Sequence, residues 1–226
     1  MNLAIDIGNT EVKWAAFEGR ELRDSGTGVP EALLACADRT LACASGTVPE
    51  AMAGVPRLDA TTPLPIRLDY KTPATLGADR IADACGAWAM HKGEACLVID
   101  AGTCITVDFI DGSGVYHGGA IMPGLKMGLQ ALHTFTAKLP LIEIDNVKRA
   151  PVLGRSTEES ILAGTVGATM LALAGYVALY REKALALHVV LTGGDAKRLV
   201  DAGATGWELQ PHLTLTGLNE IMNYDK

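Results

Sequence analysis

Asn2-Leu3-Ala4-Ile5-Asp6-Ile7-Gly8-Asn9-Thr10 and Ala95-Cys96-Leu97-Val98-Ile99-Asp100-Ala101-Gly102-Thr103 are two versions of one sentence. Each is an apolar run that ends in a carboxylate, a glycine turn and a threonine, and the two carboxylates stand 94 residues apart in a chain of 226. Each turn is followed by a second strand-like segment, Val-Lys-Trp-Ala-Ala-Phe from Val12 and Ile-Thr-Val-Asp-Phe-Ile from Ile105. A single copy is compatible with an ordinary hairpin, because Asp and Gly are common turn residues. Two copies at equivalent places predict a duplicated α/β fold with two phosphate-binding turns facing one cleft.

The length admits one large domain or two of about 110 residues, with ample core. Hydrophobic residues make up 49% of the chain, which excludes intrinsic disorder. The net charge of −7 and the lack of any Lys/Arg run longer than two argue against a nucleic-acid partner. Cys36, Cys43, Cys85, Cys96 and Cys104 contain no C-x-x-C pair and lie in apolar segments, so they read as reduced, buried cysteines. The N-terminus opens as a strand without a basic leader, which predicts a cytoplasmic protein. The apolar stretch Ile161 to Tyr180 approaches the length of a membrane span. Its glycines and threonines, and the lack of a second span, predict instead a closely packed core helix and no membrane partner.

Alternating and helical periodicities place a β-meander from Asn2 to about Arg23, a helix around Pro30 to Ala37 and a strand near Leu41 to Ala44. A helix follows over Leu76 to Lys92. The second half repeats the plan, with strands from Ala95, Ile105 and Val115 and a helix from Pro123-Gly124 to about Phe135. A short edge strand is expected over Leu139 to Ile144, and a long helix from Thr157 with Ser156 as its cap. A strand over His188 to Leu191 leads into the turn Thr192-Gly193-Gly194-Asp195. These halves predict two lobes, 1–93 and 94–226.

The chemistry follows from the turns. Gly8 lets backbone N–H groups approach an anion, Asn9 and Thr10 add neutral donors, and Lys13 adds a point charge for a polyphosphate. Asp6 would repel phosphate, so its use is to hold a hydrated Mg²⁺. Asp100, Thr103, Thr106 and Asp108 offer hydroxyls and carboxylates for phosphate and cation together. Gly77-Ala78-Asp79-Arg80 opens a helix with a carboxylate that can accept a proton and a guanidinium that can orient an anionic group. The alternatives remain a dipole-favoured acid with Arg80 in a surface pair, or Asp83 as the partner of Arg80.

The ordered set Asp6 to Lys13 (D-I-G-N-T-E-V-K), Tyr70 to Arg80 (Y-K-T-P-A-T-L-G-A-D-R), Asp100 to Asp108, Gly118 to Gly124, Thr136 to Pro140, Gly154 to Gly164 and Leu191 to Gly194 resembles the type III pantothenate kinases over almost the whole chain. The resemblance implies an actin-like ATPase fold of duplicated ribonuclease H-like lobes, in the superfamily of acetate and sugar kinases, heat-shock 70 proteins and actin. It implies phosphorylation of pantothenate to 4′-phosphopantothenate by ATP, the first step of coenzyme A synthesis. Carried over by position, Asp6, Ile7, Gly8, Asn9, Thr10, Glu11, Val12 and Lys13 match the ATP phosphate segment, and Thr103 a further ATP contact. Tyr70, Gly77, Ala78, Asp79, Arg80 and Thr157 match pantothenate contacts, with Asp79 as base. Asp100 matches the ligand of a monovalent cation, K⁺ or NH₄⁺, and the family's dimeric state implies a homodimer. Leu41 to Pro49 departs from the family in lacking paired serines before Val48-Pro49, and the first lobe is short. Two other expectations stay open: a nucleotide-binding regulator without catalysis, and a same-fold kinase for another small hydroxylated substrate.

Overall fold

Why β1 (Asn2–Ile7) is central follows from its composition: Leu3, Ala4, Ile5 and Ile7 are all buried, as suits a strand covered on both faces. The computed structural model describes residues 1–144, 152–184 and 186–224. In it β1 pairs antiparallel with β2 (Val12–Glu18), which pairs with β3 (Glu21–Thr27). The short helix α1 (Glu31–Leu34) carries the chain to β4 (Arg39–Ala44), parallel to β1. The first sheet therefore runs β3-β2-β1-β4.

The second sheet contains β5 (Arg67–Leu68), β6 (Ala95–Ala101), β7 (Cys104–Ile110), β8 (Val115–Pro123), β9 (Leu187–Thr192) and β10 (Glu208–Leu209), in the order β10-β9-β6-β7-β8-β5. Its central run β8-β7-β6-β9 repeats the order β3-β2-β1-β4, which is the duplication that the twin acidic turns predict. The helices are α2 (Ala78–Met90), α3 (Leu125–Thr134), α4 (Thr157–Leu162), α5 (Ala168–Lys183), α6 (Ala196–Asp201) and α7 (Leu213–Tyr224).

The chain divides into two compact units. The first comprises Met1–Cys96, Asp108–Gly118 and His212–Lys226, and the second Leu97–Val107 and Gly119–Pro211. In the first, Leu3, Ile5, Ile7, Ala42 and Met52 form an apolar cluster under Trp14, Leu33 and Val48. Each of these large side chains contributes roughly 1.5–3 kcal/mol by burial. Helix α7 lies across α2 at a close crossing. A Cβ on Gly86 would sit 2.8 Å from the Leu213 carbonyl oxygen, and one on Gly217 would strike the carbonyl of Ala82. Polar bonds fix α7 in register: Asn2 Nδ2 donates to Asn219 Oδ1 at 2.9 Å, and Asn219 Nδ2 donates to the Gly19 carbonyl at 2.8 Å. Arg20 meets Glu220 through two bonds of 2.6 and 2.8 Å.

In the second unit, Ser156 caps α4 by accepting from Glu159 N–H at 3.1 Å, as its sequence predicts. Two expectations fail here. Residues 139–143 form no strand, because Pro140 cannot donate to a ladder. The long helix is not a buried core helix either. A π-helical turn, Ala163–Gly167, joins α4 to α5, and in α5 only Leu173 and Val177 are buried. Leu171 and Leu179 are 64% and 57% exposed, so the helix packs by one stripe and turns apolar side chains outward. Thr157–Lys183 is long and apolar enough to cross a membrane by length and composition.

Candidate active site

Strand pairing sets the surroundings of Asp6. Its register partners are Lys13 on β2 and Cys43 on β4, one on each side. Because side chains alternate along a strand, Asp6 faces away from the Leu3–Ile5–Ile7 cluster. Burial pushes its carboxyl above the usual carboxylate range; the Cys43 thiol, which donates to Oδ1 at 3.4 Å, and the Lys13 charge pull it down, and the charge of Asp79 pushes it up again. Burial and the same carboxylates hold the Cys43 thiol well above its ordinary value. The turn itself is closed by Gly8 N–H donating to the Glu11 carbonyl at 3.1 Å. Ser45 and Gly46 N–H both donate to the Ile7 carbonyl at 3.0 Å, tying the turn to the end of β4. Asn9, Thr10 and Glu11 are exposed at the tip, whereas Ile7 is core and Val12 packs against it. Of the eight residues Asp6 to Lys13, Ile7 and Val12 therefore serve by packing.

Asp79 stands in the first turn of α2, where Asp79 Oδ1 accepts from Arg80 N–H at 2.8 Å. Gly77 leaves room for that carboxylate, since a Cβ there would lie 2.5 Å from Asp79 Oδ1. Ala78 borders a cavity of about 590 Å³ also lined by Ala44, Val48, Val55, Arg57 and Asp59. Arg80 is buried and its partner is Asp108, not a surface carboxylate: Nε and Nη2 donate to Asp108 at 3.0 and 2.5 Å. Burial pulls the guanidinium down, but the bonds and charge of Asp108 outweigh it and hold Arg80 above its ordinary value. Tyr116 O–H donates to the same carboxylate at 2.6 Å, and Tyr70 shares a hydrogen bond with Arg80. Asp83, the alternative partner, accepts from Thr214 Oγ1 at 2.7 Å.

Two roles thus change. Asp108, expected among groups that bind phosphate and cation, is buried in the Arg80–Tyr116 network. Cys43, expected only as a reduced, buried thiol, touches Asp6. Cys36 and Cys104, expected to be buried as well, are exposed, because Cys36 lies just past the end of α1 and Cys104 opens β7 beside the turn. An aspartate set among Ile105, Val107 and Ile110 is the one sequence signal for the first of these, because a carboxylate in an apolar strand needs a buried partner.

In the second unit, half-buried Asp100 is the penultimate residue of β6 and exposed Thr103 stands in the turn, which Gly102 N–H closes onto the Cys104 carbonyl at 2.9 Å. Asp195 N–H donates to the Ala101 carbonyl at 2.8 Å, so the Gly193-Gly194 turn lies against the second acidic turn. Gly193 has φ +94°, and a side chain there would strike Asp100 and Ala101. Thr157 is exposed at the first residue of α4.

The first unit gathers Asp6, Lys13 and Asp79. Asp6, paired in register with Lys13 and within reach of the Asp79 charge, offers carboxylate and lysine chemistry that fits a divalent cation and a polyphosphate together. Comparison with known proteins gives the family. The profile of type III pantothenate kinase matches residues 51–179. A type III pantothenate kinase of Bacteroides fragilis is 39% identical over 241 aligned residues, covering 100% of this chain and 98% of its own. One from Cytophaga hutchinsonii is 36% identical, with 100% of both chains covered. Among solved structures, a Baf family protein from Campylobacter jejuni superimposes with a TM-score of 0.63 at 21% identity, over 99% of this chain and 98% of its own. The architecture is that of actin-like ATPases and sugar kinases. The chain belongs to the type III pantothenate kinase family.

Proposed function

We propose that the chain transfers the γ-phosphoryl group of ATP to the hydroxyl of pantothenate, giving 4′-phosphopantothenate for coenzyme A synthesis, with Asp79 as the base. The observation that carries the residue roles is the meeting of Asp6, Lys13 and Asp79 in one electrostatic neighbourhood. Lys13 binds the triphosphate as a point charge, and the donors of Gly8, Asn9 and Thr10 orient it. Asp6 would hold Mg²⁺, which would supply charge neutralisation for the phosphates. Asp79 accepts the hydroxyl proton while Tyr70, Gly77, Ala78, Arg80 and Thr157 position the acceptor. Asp100 holds a monovalent cation, K⁺ or NH₄⁺, and Thr103 adds an ATP contact. Phosphoryl transfer asks for this kind of positioning and neutralisation more than for covalent chemistry.

The outward apolar side chains of α5, Leu171 and Leu179, support a homodimer through that face, since soluble monomers rarely leave such patches uncovered. The acidic balance and the lack of any Lys/Arg run longer than two support an enzyme without a nucleic-acid partner. The test is a coupled ADP-release assay with and without pantothenate, in potassium and in sodium. Pantothenate-dependent release that is faster in potassium is expected. ADP release with hexoses but not with pantothenate would refute the substrate, and salt-sensitive DNA binding without any ATP turnover would refute the enzyme.

A further inference from the structure

The side chains of Arg80, Asp108 and Tyr116 form a buried polar chain next to Asp79. Tyr116 is fully buried and Asp108 and Arg80 nearly so. Tyr116 O–H donates to Asp108 Oδ1 at 2.6 Å, and Arg80 donates to both Asp108 oxygens. The Arg80 guanidinium also shares a hydrogen bond with Tyr70. The Tyr70 ring stands 6.0 Å from that of Tyr116, tilted by 52°. It lies over Gly118, where φ is +82° and a Cβ would come within 3.0 Å of the ring. Both rings and the guanidinium are therefore fixed by one carboxylate that sits 28 residues beyond Arg80.

Such a network is a poor way to stabilise a fold. A buried ion pair costs much of what it gains in desolvation, and apolar residues of equal volume are often as stable or more so. What a planar guanidinium held by two or more bonds does supply is geometric definition. That definition is delivered at Arg80, which follows Asp79 in the first turn of α2, and at Tyr70, which is bonded to it. We propose that Asp108 and Tyr116 are positioning residues for the acceptor: they hold Arg80 and, through it, the Tyr70 hydroxyl where they bind pantothenate. The proposal rests on the pantothenate kinase function given above. It assigns Asp108 to the acceptor and not to the nucleotide or its cations.

Tyr116→Phe tests it, because the ring packing survives and only one bond to a charged group is lost. Removing that bond is expected to raise KM for pantothenate roughly three- to tenfold, while kcat and KM for MgATP stay within about twofold. The double variant Tyr70→Phe/Tyr116→Phe should raise KM by less than the product of the two single effects, because both act through Arg80. Asp108→Asn leaves the guanidinium without its counter-charge and should raise KM further, in protein whose circular dichroism is unchanged. If Tyr116→Phe lowers only the melting temperature, or changes both substrates' constants equally, the network is structural and the proposal falls. If the two tyrosine effects multiply, the route through Arg80 falls with it. A wild-type chain that releases no ADP with pantothenate would instead overturn the function itself.

Discussion

Asp79→Asn separates catalysis from architecture more cleanly than any other single change in this chain. The Asp79 carboxylate makes one local bond, accepting from Arg80 N–H at 2.8 Å, and the asparagine carbonyl can accept the same bond. What the helix start loses is a favourable charge near its positive end, about 0.3–1 kcal/mol at most. Asp79 also raises the carboxyl of Asp6, so its neutralisation relieves Asp6; a weaker hold on the cation would show in KM for MgATP and not in kcat at saturation. The expected loss is therefore that of the base alone. General bases contribute about 10²–10⁴-fold, and a loose transition state, in which the proton moves late, places this one near the lower end. A fall of about 10²-fold in kcat corresponds to ~2.7 kcal/mol at ~1.36 kcal/mol per decade. Steady-state ADP release at saturating MgATP and pantothenate measures it, with thermal unfolding as the control for folding. If kcat stays within about threefold of wild type in folded protein, Asp79 is not the base.

Three other perturbations address the fold, the first turn and the assembly. Gly217→Ala drives a methyl into the Ala82 carbonyl at the α2–α7 crossing, where only backbone could yield. Overpacking of about 1–3 kcal/mol should lower Tm by ~2–4 °C per kcal/mol in a differential scanning experiment, and an unchanged Tm would mean that the crossing is looser than described. Burial raises the folded-state pKa of Asp6 above its ordinary 3.8, so the ionised carboxylate costs the free protein stability as pH climbs through that raised value. Asp6→Asn should accordingly raise the Tm of the ligand-free chain near pH 8 and have little effect near about pH 4, while abolishing stabilisation by MgATP; a lower Tm than wild type near pH 8 would contradict this. Leu171→Glu with Leu179→Glu puts charge on the outward face of α5. Light scattering at micromolar concentration should then show monomers, and a persistent dimer would move the interface elsewhere.

How much of this could be read in the sequence varies with the range of the interactions. The acidic turns were legible because period-two strands and a glycine announce themselves within ten residues. The proposed base stands in an equally local pattern, an acid at the second residue of a helix after Gly77. Asp108 carries only half its signal locally. Its apolar neighbours Ile105 and Val107 say that it is buried, but its partner Arg80 lies on another element and only the fold brings them together. The contact of Cys43 with Asp6 depends on the parallel register of β1 and β4, which no local pattern encodes. The long helix misleads for a different reason. Apolar composition states that a surface will be covered, not by what, and one chain covers only the stripe through Leu173 and Val177. The edge strand over Leu139 to Ile144 fails because Pro140 outweighs a favourable run of side chains.

The crossing of α7 over α2 has a consequence for the order in which the chain is made. Residues 212–224 belong to the unit that begins with β1, yet they leave the ribosome after all of the second unit has been synthesised. Between Gly118 and the end of α7, translation at about 5–20 residues per second takes on the order of 5–20 s. Throughout that interval β1, β4 and α2 lack the helix that carries Asn219 and Glu220, so Asp6 and Asp79 sit on a platform still missing one of its packed layers. The nascent N-terminal sheet is then a client for chaperones, and a slow codon or a stall before residue 212 prolongs its exposure. The unit that holds Asp6 and Asp79 is the first to be started and the last to be finished.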